Sequence, residues 1–299
     1  MLNKQRILLG ADNNALVWLI GVQAISFILF SGIKIVYYLS GIPMEFFQSQ
    51  VQNWFTLSAN SEIFFSRPWT LITHLIYHDS FFGLLSNMLW LWAFGFILQD
   101  LSGNSKLIPL FLYGGVLGGV VFILTANVFP VFAPVVASGY LAGAGSGLMA
   151  IVVATTTLTP EYRIFPMLNG GIPLWVLTLI FVALDFSLVA SGNGCIALAH
   201  LSAAIIGMVF IKQLQRGRDW GAWMENFVHW VDGWFNPEKK AAPANSRTFY
   251  TDNRKSFTKT PTVTQQRVDA LLDKINEKGY HFLTEEEKEF LKKASQHDL

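Results

Sequence analysis

Long apolar runs, separated by short segments rich in Gly, Pro and charge, fill the first two thirds of the chain. A helix needs about 20 apolar residues to cross the hydrocarbon core of a bilayer. Backbone polar groups in lipid must bond within their own segment, so these runs are predicted to be helices. We predict six membrane spans, near residues 15–39, 81–98, 107–128, 141–159, 172–190 and 194–214.

The composition strengthens this prediction. The 299 residues are 52% hydrophobic and only 14% charged, whereas soluble domains carry about 25% charged residues. No Asp, Glu, Lys or Arg occurs between Lys106 and Glu161. The net charge of +1 gives no indication of a nucleic-acid partner. The lipid bilayer is therefore the first predicted partner, and an all-α membrane protein is the predicted fold class.

Lys and Arg in short loops predict the orientation, because they concentrate on the cytoplasmic side. The first apolar run is too long for a signal peptide and is expected to be retained as a span. We therefore predict an integral protein of the inner (cytoplasmic) membrane, with both termini cytoplasmic. The positive residues on that side are Lys4, Arg6, Lys106, Arg163, Lys212, Arg216 and Arg218, against Arg67 on the outside and Lys34 near the outer end of the first span.

Two further patterns concern packing. The aromatic-rich stretch at 48–79 is predicted to lie partly in the outer leaflet. Small residues spaced four apart, as in Gly114 and Gly118 or Ala203 and Gly207, let helix backbones approach closely. We assign these small residues to helix packing and give them no chemistry.

After Lys212 the chain becomes polar. We divide it into a membrane domain at 10–214, an amphipathic interfacial helix at 215–235, a linker at 236–262 and a helical hairpin at 263–299. In the hairpin, Gly279 is predicted to end one helix, and Thr284 with Glu287 to form a capping box for the next. The hairpin is small and is expected to bind a partner that the sequence does not identify. The interfacial helix is predicted from aromatic residues that share one face: Trp220, Trp223, Phe227, Trp230 and Trp234.

Polar residues inside the predicted spans are the candidates for chemistry, because they are unfavourable in lipid unless satisfied. Asn87, Ser146 and His200 lie six or seven residues from the outer ends of spans two, four and six. These spans run in the same direction, so all three residues are predicted about 9–10 Å deep. A serine hydroxyl needs a base such as His to become a nucleophile, and an amide can donate to an oxyanion. Such a site needs no cofactor or metal, and none is predicted.

Each of these residues also has a structural interpretation. Ser146 alone is more often a packing residue, and Asn87 could simply link helices, whereas an intramembrane His200 without a partner is costly. Asp185 is interpreted as reaching the lipid headgroups. His74 and His78 are interpreted as surface or loop-bracing residues outside the apolar core.

Three segments resemble the rhomboid intramembrane serine proteases. Arg-Pro-Trp-Thr-Leu-Ile-Thr-His at 67–74, continuing to Asn87 and Gly95, resembles that family's first loop and second helix. Gly-Ala-Gly-Ser-Gly-Leu-Met-Ala at 143–150 resembles its nucleophile helix, and the segment from Ala199 to Gly207 its histidine helix. The resemblance implies a six-helix rhomboid-like bundle with a short cytoplasmic helical tail. It also implies a Ser–His dyad that cleaves membrane-anchored proteins near the outer face, and the tail resembles one found on some bacterial rhomboids.

The chain departs from the family pattern at the site itself. Gly83 stands where the family usually has a histidine that helps to bind the oxyanion. Thr70 replaces an Arg, and Ser202-Ala203 replace a Gly pair. An ungapped alignment places Gly145, not Ser146, at the nucleophile position, and one residue on a helix is a rotation of about 100°.

Two hypotheses follow. In the first, the chain is an intramembrane serine endopeptidase, with Ser146 as nucleophile, His200 as base and acid, and Asn87 as oxyanion donor. In the second, it is an inactive rhomboid-like protein that binds transmembrane segments. The register of Ser146 favours the binder, but the presence of all three residues at one depth favours the enzyme, which is the function that we predict from the sequence. Transmembrane protein substrates or clients are the expected partners in either case.

Overall fold

The computed structural model describes residues 14–164, 171–190, 193–235 and 263–296. These residues form α-helices, four very short strands and several 3₁₀ turns. The helices are α1 (Ala15–Leu39), α2 (Met44–Gln50), α3 (Ser61–Ser66), α4 (Thr70–Thr73), α5 (Phe81–Ser102), α6 (Leu107–Val128), α7 (Ala133–Ser138), α8 (Gly145–Leu158), α9 (Leu174–Ala190), α10 (Gly194–Gln215), α11 (Ala222–Phe235), α12 (Val263–Lys278) and α13 (Glu285–Gln296). The strands are β1 (Leu57–Ser58), β2 (Tyr140–Leu141), β3 (Arg163–Ile164) and β4 (Ile172–Pro173).

Helices occupy all six predicted spans, as α1, α5, α6, α8, α9 and α10. Within the described ranges, four helical segments are long and apolar enough to cross a membrane: Ala15–Leu39, Phe81–Ser102, Asn104–Val128 and Gly194–Gln215. Helices α8 and α9 are apolar but shorter. The chain is thus an integral membrane protein built mainly from apolar helices.

Helix α8 begins later than predicted. The predicted span started at residue 141, but Tyr140 and Leu141 form strand β2, which pairs antiparallel with β1. Gly143 then adopts a φ of +95°, a conformation that favours glycine, and the helix starts at Gly145. Apolar periodicity continues through this turn, which is why the sequence did not locate the boundary.

Helix α8 lies at the centre of the bundle, where it packs against α5, α6 and α10. Its residues from Ser146 to Thr155 are all buried. The predicted close packing through small residues is confirmed. A side chain on Gly114 would collide with Ala150 of α8, and one on Gly207 of α10 would collide with the backbone of the same Ala150. These glycines therefore bring three helix backbones into contact.

The chain after α10 contains the predicted helical elements. Helix α11 covers most of the predicted interfacial helix, and the linker at 236–262 lies outside the described residues. The chain divides into two compact units, Met1–Lys240 and Ala241–Leu299. In the second unit, Gly279 ends α12 with a φ of +84°. The predicted capping box is confirmed, because Thr284 Oγ1 accepts from Glu287 N at 3.3 Å and Glu287 Oε2 accepts from Thr284 N at 2.8 Å.

Candidate functional site

The predicted site residues gather around the start of α8. The backbone N–H of Gly143 donates to the carbonyl of His74 at 2.8 Å, which ties the turn before α8 to the loop after α4. A Cβ atom built on Gly143 would lie 3.7 Å from Asn87 Nδ2. Two residues later, Gly145 contacts His200. This short turn therefore places Asn87 of α5 and His200 of α10 on either side of one segment.

The residue of α8 that faces the His200 imidazole is Gly145. A Cβ atom built on Gly145 would lie 2.5 Å from His200 Nε2 and 2.8 Å from its Cε1. Real Cβ atoms do not approach other atoms so closely, so His200 Nε2 occupies the space in which a side chain at position 145 would begin. This agrees with the alignment that places Gly145 at the family's nucleophile position.

Ser146 points toward a different helix. A Cβ atom built on Gly118 of α6 would lie 2.6 Å from both Cβ and Oγ of Ser146. The serine side chain is 2% exposed and fills the notch that this glycine leaves. Among the described residues, no hydrogen bond joins Ser146 to His200. The two residues lie near one another in the fold, but the serine packs against α6.

His200 has a partner that the sequence interpretation missed. Its Nδ1 atom and Asp185 Oδ1 are 2.6 Å apart, and the two side chains are 13% and 15% exposed. The interpretation of Asp185 as a headgroup-reaching residue is therefore wrong, because its carboxylate turns inward from α9 to α10. A carboxylate in this position keeps a proton on Nδ1 and fixes the imidazole orientation. An ionisable residue inside a predicted span is itself the signal that could have found the pair.

Asn87 pairs with His78. The Asn87 Nδ2 atom lies 3.3 Å from His78 Nε2, and His78 is 6% exposed. Burial lowers the pKa of His78, which favours the neutral ring that can accept from the amide. The surface interpretation of His78 is wrong and the bracing interpretation is confirmed. His78 thus contacts Asn87 from the loop before α5.

His74 is fully buried beside this cluster. Its Nδ1–H donates to the Thr70 carbonyl at 3.0 Å, and burial lowers its pKa to about 4. The ring is therefore neutral at physiological pH and braces the loop. This confirms the loop-bracing interpretation of His74, and the surface interpretation is wrong. Gly83 lies at the start of α5, where a Cβ atom would meet Ser80 Oγ at 2.9 Å. Ser80 caps that helix by accepting from Gly83 N at 3.1 Å.

The arrangement provides a base without an adjacent nucleophile. A carboxylate-held imidazole can take a proton from a group near its Nε2 atom, but the neighbour there is a glycine. Within the described ranges, no group of three His, Cys, Asp or Glu side chains is placed to hold a metal ion.

Comparison with known proteins identifies the fold. Residues 66–216, about half of the chain, match the Rhomboid domain family. The chain belongs to the rhomboid family. It is 26% identical over 162 residues to the RHOMBOID-like protein 12, mitochondrial, of Arabidopsis thaliana, across 51% of this chain and 48% of the relative. This rhomboid chain therefore spans about half the length of that relative. Residues 256–297 match a family of unknown function, DUF6576.

Proposed function

We propose that this rhomboid protein binds transmembrane segments of other membrane proteins without cleaving them. The observation that carries the proposal is the contact of His200 Nε2 with Gly145. Nucleophilic catalysis brings the hydroxyl and its base within about 2.6–3.2 Å of one another in the reacting complex. At the position that faces the base there is no hydroxyl.

The packing of α8 supports this proposal over the endopeptidase hypothesis. To bring Ser146 to His200, the start of α8 would have to rotate by about 100°. Ser146 is seated against Gly118, and one turn later Ala150 is enclosed by Gly114 and Gly207. A rotation of the whole helix would break these contacts. Proteolysis would require a rearrangement of the helix start that moves Ser146 off Gly118 and leaves Ala150 in place.

The proposed binding surface is the lipid-facing side of α5 and α9. These helices meet through Trp90 and Phe181, whose ring centroids are 5.1 Å apart. Helix α9 packs on α8 and α10, and its outer side presents large apolar residues such as Leu184, which is 62% exposed. In lipid, helices associate through packing and polar contacts rather than through a hydrophobic driving force.

The proposal includes the membrane arrangement. We propose that α8 and α9 cross the bilayer together with the four longer spans, and that both termini are cytoplasmic. Helix α8 contacts protein on all sides, so it does not need the full length that lipid contact would require. Reporter fusions after Lys106, Arg163 and Lys212 would all report cytoplasm under this topology.

The test uses the full chain in proteoliposomes with single-span reporter proteins of defined sequence. A photo-crosslinking residue replaces Leu184 on α9, and the matched control replaces Ile28 on α1, which is 70% exposed. The expected result is crosslinking of an intact reporter from position 184 and little from position 28. Equal crosslinking from both positions would contradict the binding surface. Reporter cleavage that disappears in Ser146→Ala would establish the endopeptidase instead.

A further inference from the structure

The start of helix α11 is fastened to α6 by a hydrogen-bonded chain. The hydroxyl of Tyr113 donates to the carbonyl of Trp220 at 2.8 Å. The indole Nε1–H of Trp223 donates to the same hydroxyl at 2.6 Å. The turn before α11 and the first turn of α11 are thereby held against one side chain of the membrane bundle.

A buried ion pair adds a second attachment. Lys106 Nζ lies 2.6 Å from Asp219 Oδ2 and 3.8 Å from Glu225 Oε2, and Lys106 is only 9% exposed. Asp219 Oδ1 also accepts from Gly221 N at 2.9 Å, which fixes the turn that leads into α11. An ion pair with little water around it resists separation, because each group would be left charged and unpaired.

These attachments set the level of α11 relative to the bilayer. The segment Asn104–Val128 is one of the helices able to span a membrane. Tyr113 lies six residues after Leu107, so it is about 9 Å along α6. Helix α11 is therefore attached over about the first 9 Å of α6, which in a membrane-spanning helix is the region where headgroups meet acyl chains. Lys212, Arg216 and Arg218 at the end of α10 place positive charge at the same end of the bundle.

At this level the turn before α11 and the helix itself expose aromatic side chains, which we define as the aromatic face: Trp220, Trp223, Phe227 and Trp230. These side chains are 38%, 56%, 54% and 54% exposed. Residues three and four apart share one side of a helix. Aromatic rings are enriched where the headgroups meet the acyl chains, because they have both an apolar body and a polar edge.

We propose that the aromatic face is an interaction surface for the bilayer, seated at the boundary between headgroups and acyl chains. The helix has Glu225 and Asp232 but no Lys or Arg between Ala222 and Phe235. Its binding therefore relies on ring burial and does not need anionic lipid. The partner is a zwitterionic lipid surface, and α11 lies along it.

The experiment uses the full chain with Cys195→Ala, reconstituted in phosphatidylcholine vesicles. Single cysteines replace Phe227 and Trp230 on the aromatic face. The matched control is Glu225→Cys, about 200° around the helix from Phe227; it removes the 3.8 Å contact with Lys106 but keeps the 2.6 Å Lys106–Asp219 pair. Each is labelled with an environment-sensitive fluorophore. We measure quenching by iodide in water and by a spin label attached near the headgroup end of a lipid chain.

The expected result is strong quenching by the lipid-borne label at 227 and 230, at least threefold above position 225, with the reverse order for iodide. Addition of anionic phosphatidylglycerol should change neither ratio. Iodide quenching at 227 and 230 equal to that at 225 would overturn the proposal. Protection of 227 and 230 from both quenchers would also overturn it, since protein rather than lipid would then cover the face.

Discussion

His200 turns its Nε2 atom toward Gly145, so closely that a Cβ atom on that residue would lie 2.5 Å away. Its other nitrogen is held by Asp185 at 2.6 Å. The imidazole is therefore oriented as a base would be, and the atom that should receive a proton faces backbone. This geometry distinguishes the endopeptidase hypothesis from the binder hypothesis. It can be tested by moving the serine hydroxyl from position 146 to position 145.

The first prediction concerns nucleophile register. The unmodified chain should not react with a fluorophosphonate at Ser146, because that hydroxyl packs against Gly118. The pair Gly145→Ser with Ser146→Gly should gain labelling at residue 145, once His200 shifts to admit the new Cβ atom. Adding His200→Ala should lower the gained rate by about 10²-fold or more, because the hydroxyl loses its base.

Labelling is measured by gel fluorescence and located by mass spectrometry. Gly145→Ala serves as the matched control, since it adds the same Cβ atom without a hydroxyl. Labelling of the unmodified chain that disappears in Ser146→Ala would show that the start of α8 rotates and that the protein is a protease.

The second prediction concerns the link between α9 and α10. Asp185→Ala should lower the free energy of unfolding by about 1.5–3 kcal/mol, the usual contribution of a hydrogen bond to a charged group. Asp185→Asn keeps an acceptor oxygen and should lower the free energy of unfolding by less than Asp185→Ala does. Thermal unfolding in micelles measures both variants. Ser187→Ala, at an exposed position on the same helix, is the control and should change little; equal losses in all three variants would contradict a specific role for Asp185.

The sequence predicts those features of the structure that depend on residues close together in the chain, and it misses those that depend on distant residues. Apolar run length located the helices, because membrane spans are long and their periodicity is local. Gly279 and Thr284 gave correct boundaries because caps act over three or four residues. The start of α8 was misplaced, since β2 pairs with a strand more than eighty residues earlier in the chain. The Asp185–His200 pair joins two helices, and no local pattern records which way each side chain turns.

The third prediction concerns the helix contacts around Ala150. Gly207→Ala should destabilise the bundle by about 1–3 kcal/mol, because the added methyl group collides with the backbone of Ala150. Gly32→Ala in α1 is the matched control, since a Cβ atom there meets nothing within 4 Å. It should be neutral or slightly stabilising through helix propensity. The unfolding midpoints of the two variants are measured in the same lipid or detergent. An unchanged midpoint for Gly207→Ala would show that α8 and α10 can move apart to admit the methyl group without loss of stability.

The fourth prediction concerns pH. Burial lowers the pKa of His74 to about 4 from the usual 6.5. Between these values the unfolded chain binds a proton at this residue that the folded chain does not, so stability rises with pH across that window. Stability that is present above pH 6.5 should therefore be lost as the pH falls toward 4. His78, whose pKa is also lowered by burial, should contribute in the same direction.

Thermal unfolding at several pH values between 4.5 and 7.5 measures this effect. His74→Gln should flatten the pH dependence even if it lowers stability at neutral pH, because its amide does not titrate. His281→Gln replaces an exposed residue in the second unit and should leave the curve unchanged. A His74→Gln curve as steep as that of the unmodified chain would assign the pH dependence to other groups.

The last prediction concerns the ion pair that holds α11 to the bundle. Lys106 and Asp219 side chains are 11% and 9% exposed, so removing either one leaves the other charged in a site with little water. Lys106→Met alone and Asp219→Asn alone should each lower the free energy of unfolding by about 3 kcal/mol. The double variant should lose less than the sum of the two, because it leaves neither buried charge unpaired, and Glu225 is 44% exposed to solvent. Strictly additive losses would show that the two charges do not interact. The fluorophore at position 227 gives an independent readout. Its quenching by the lipid-borne label should weaken in each single variant, because the uncompensated charge displaces α11. The quenching should recover in the double variant, which keeps the aromatic face and has no uncompensated buried charge.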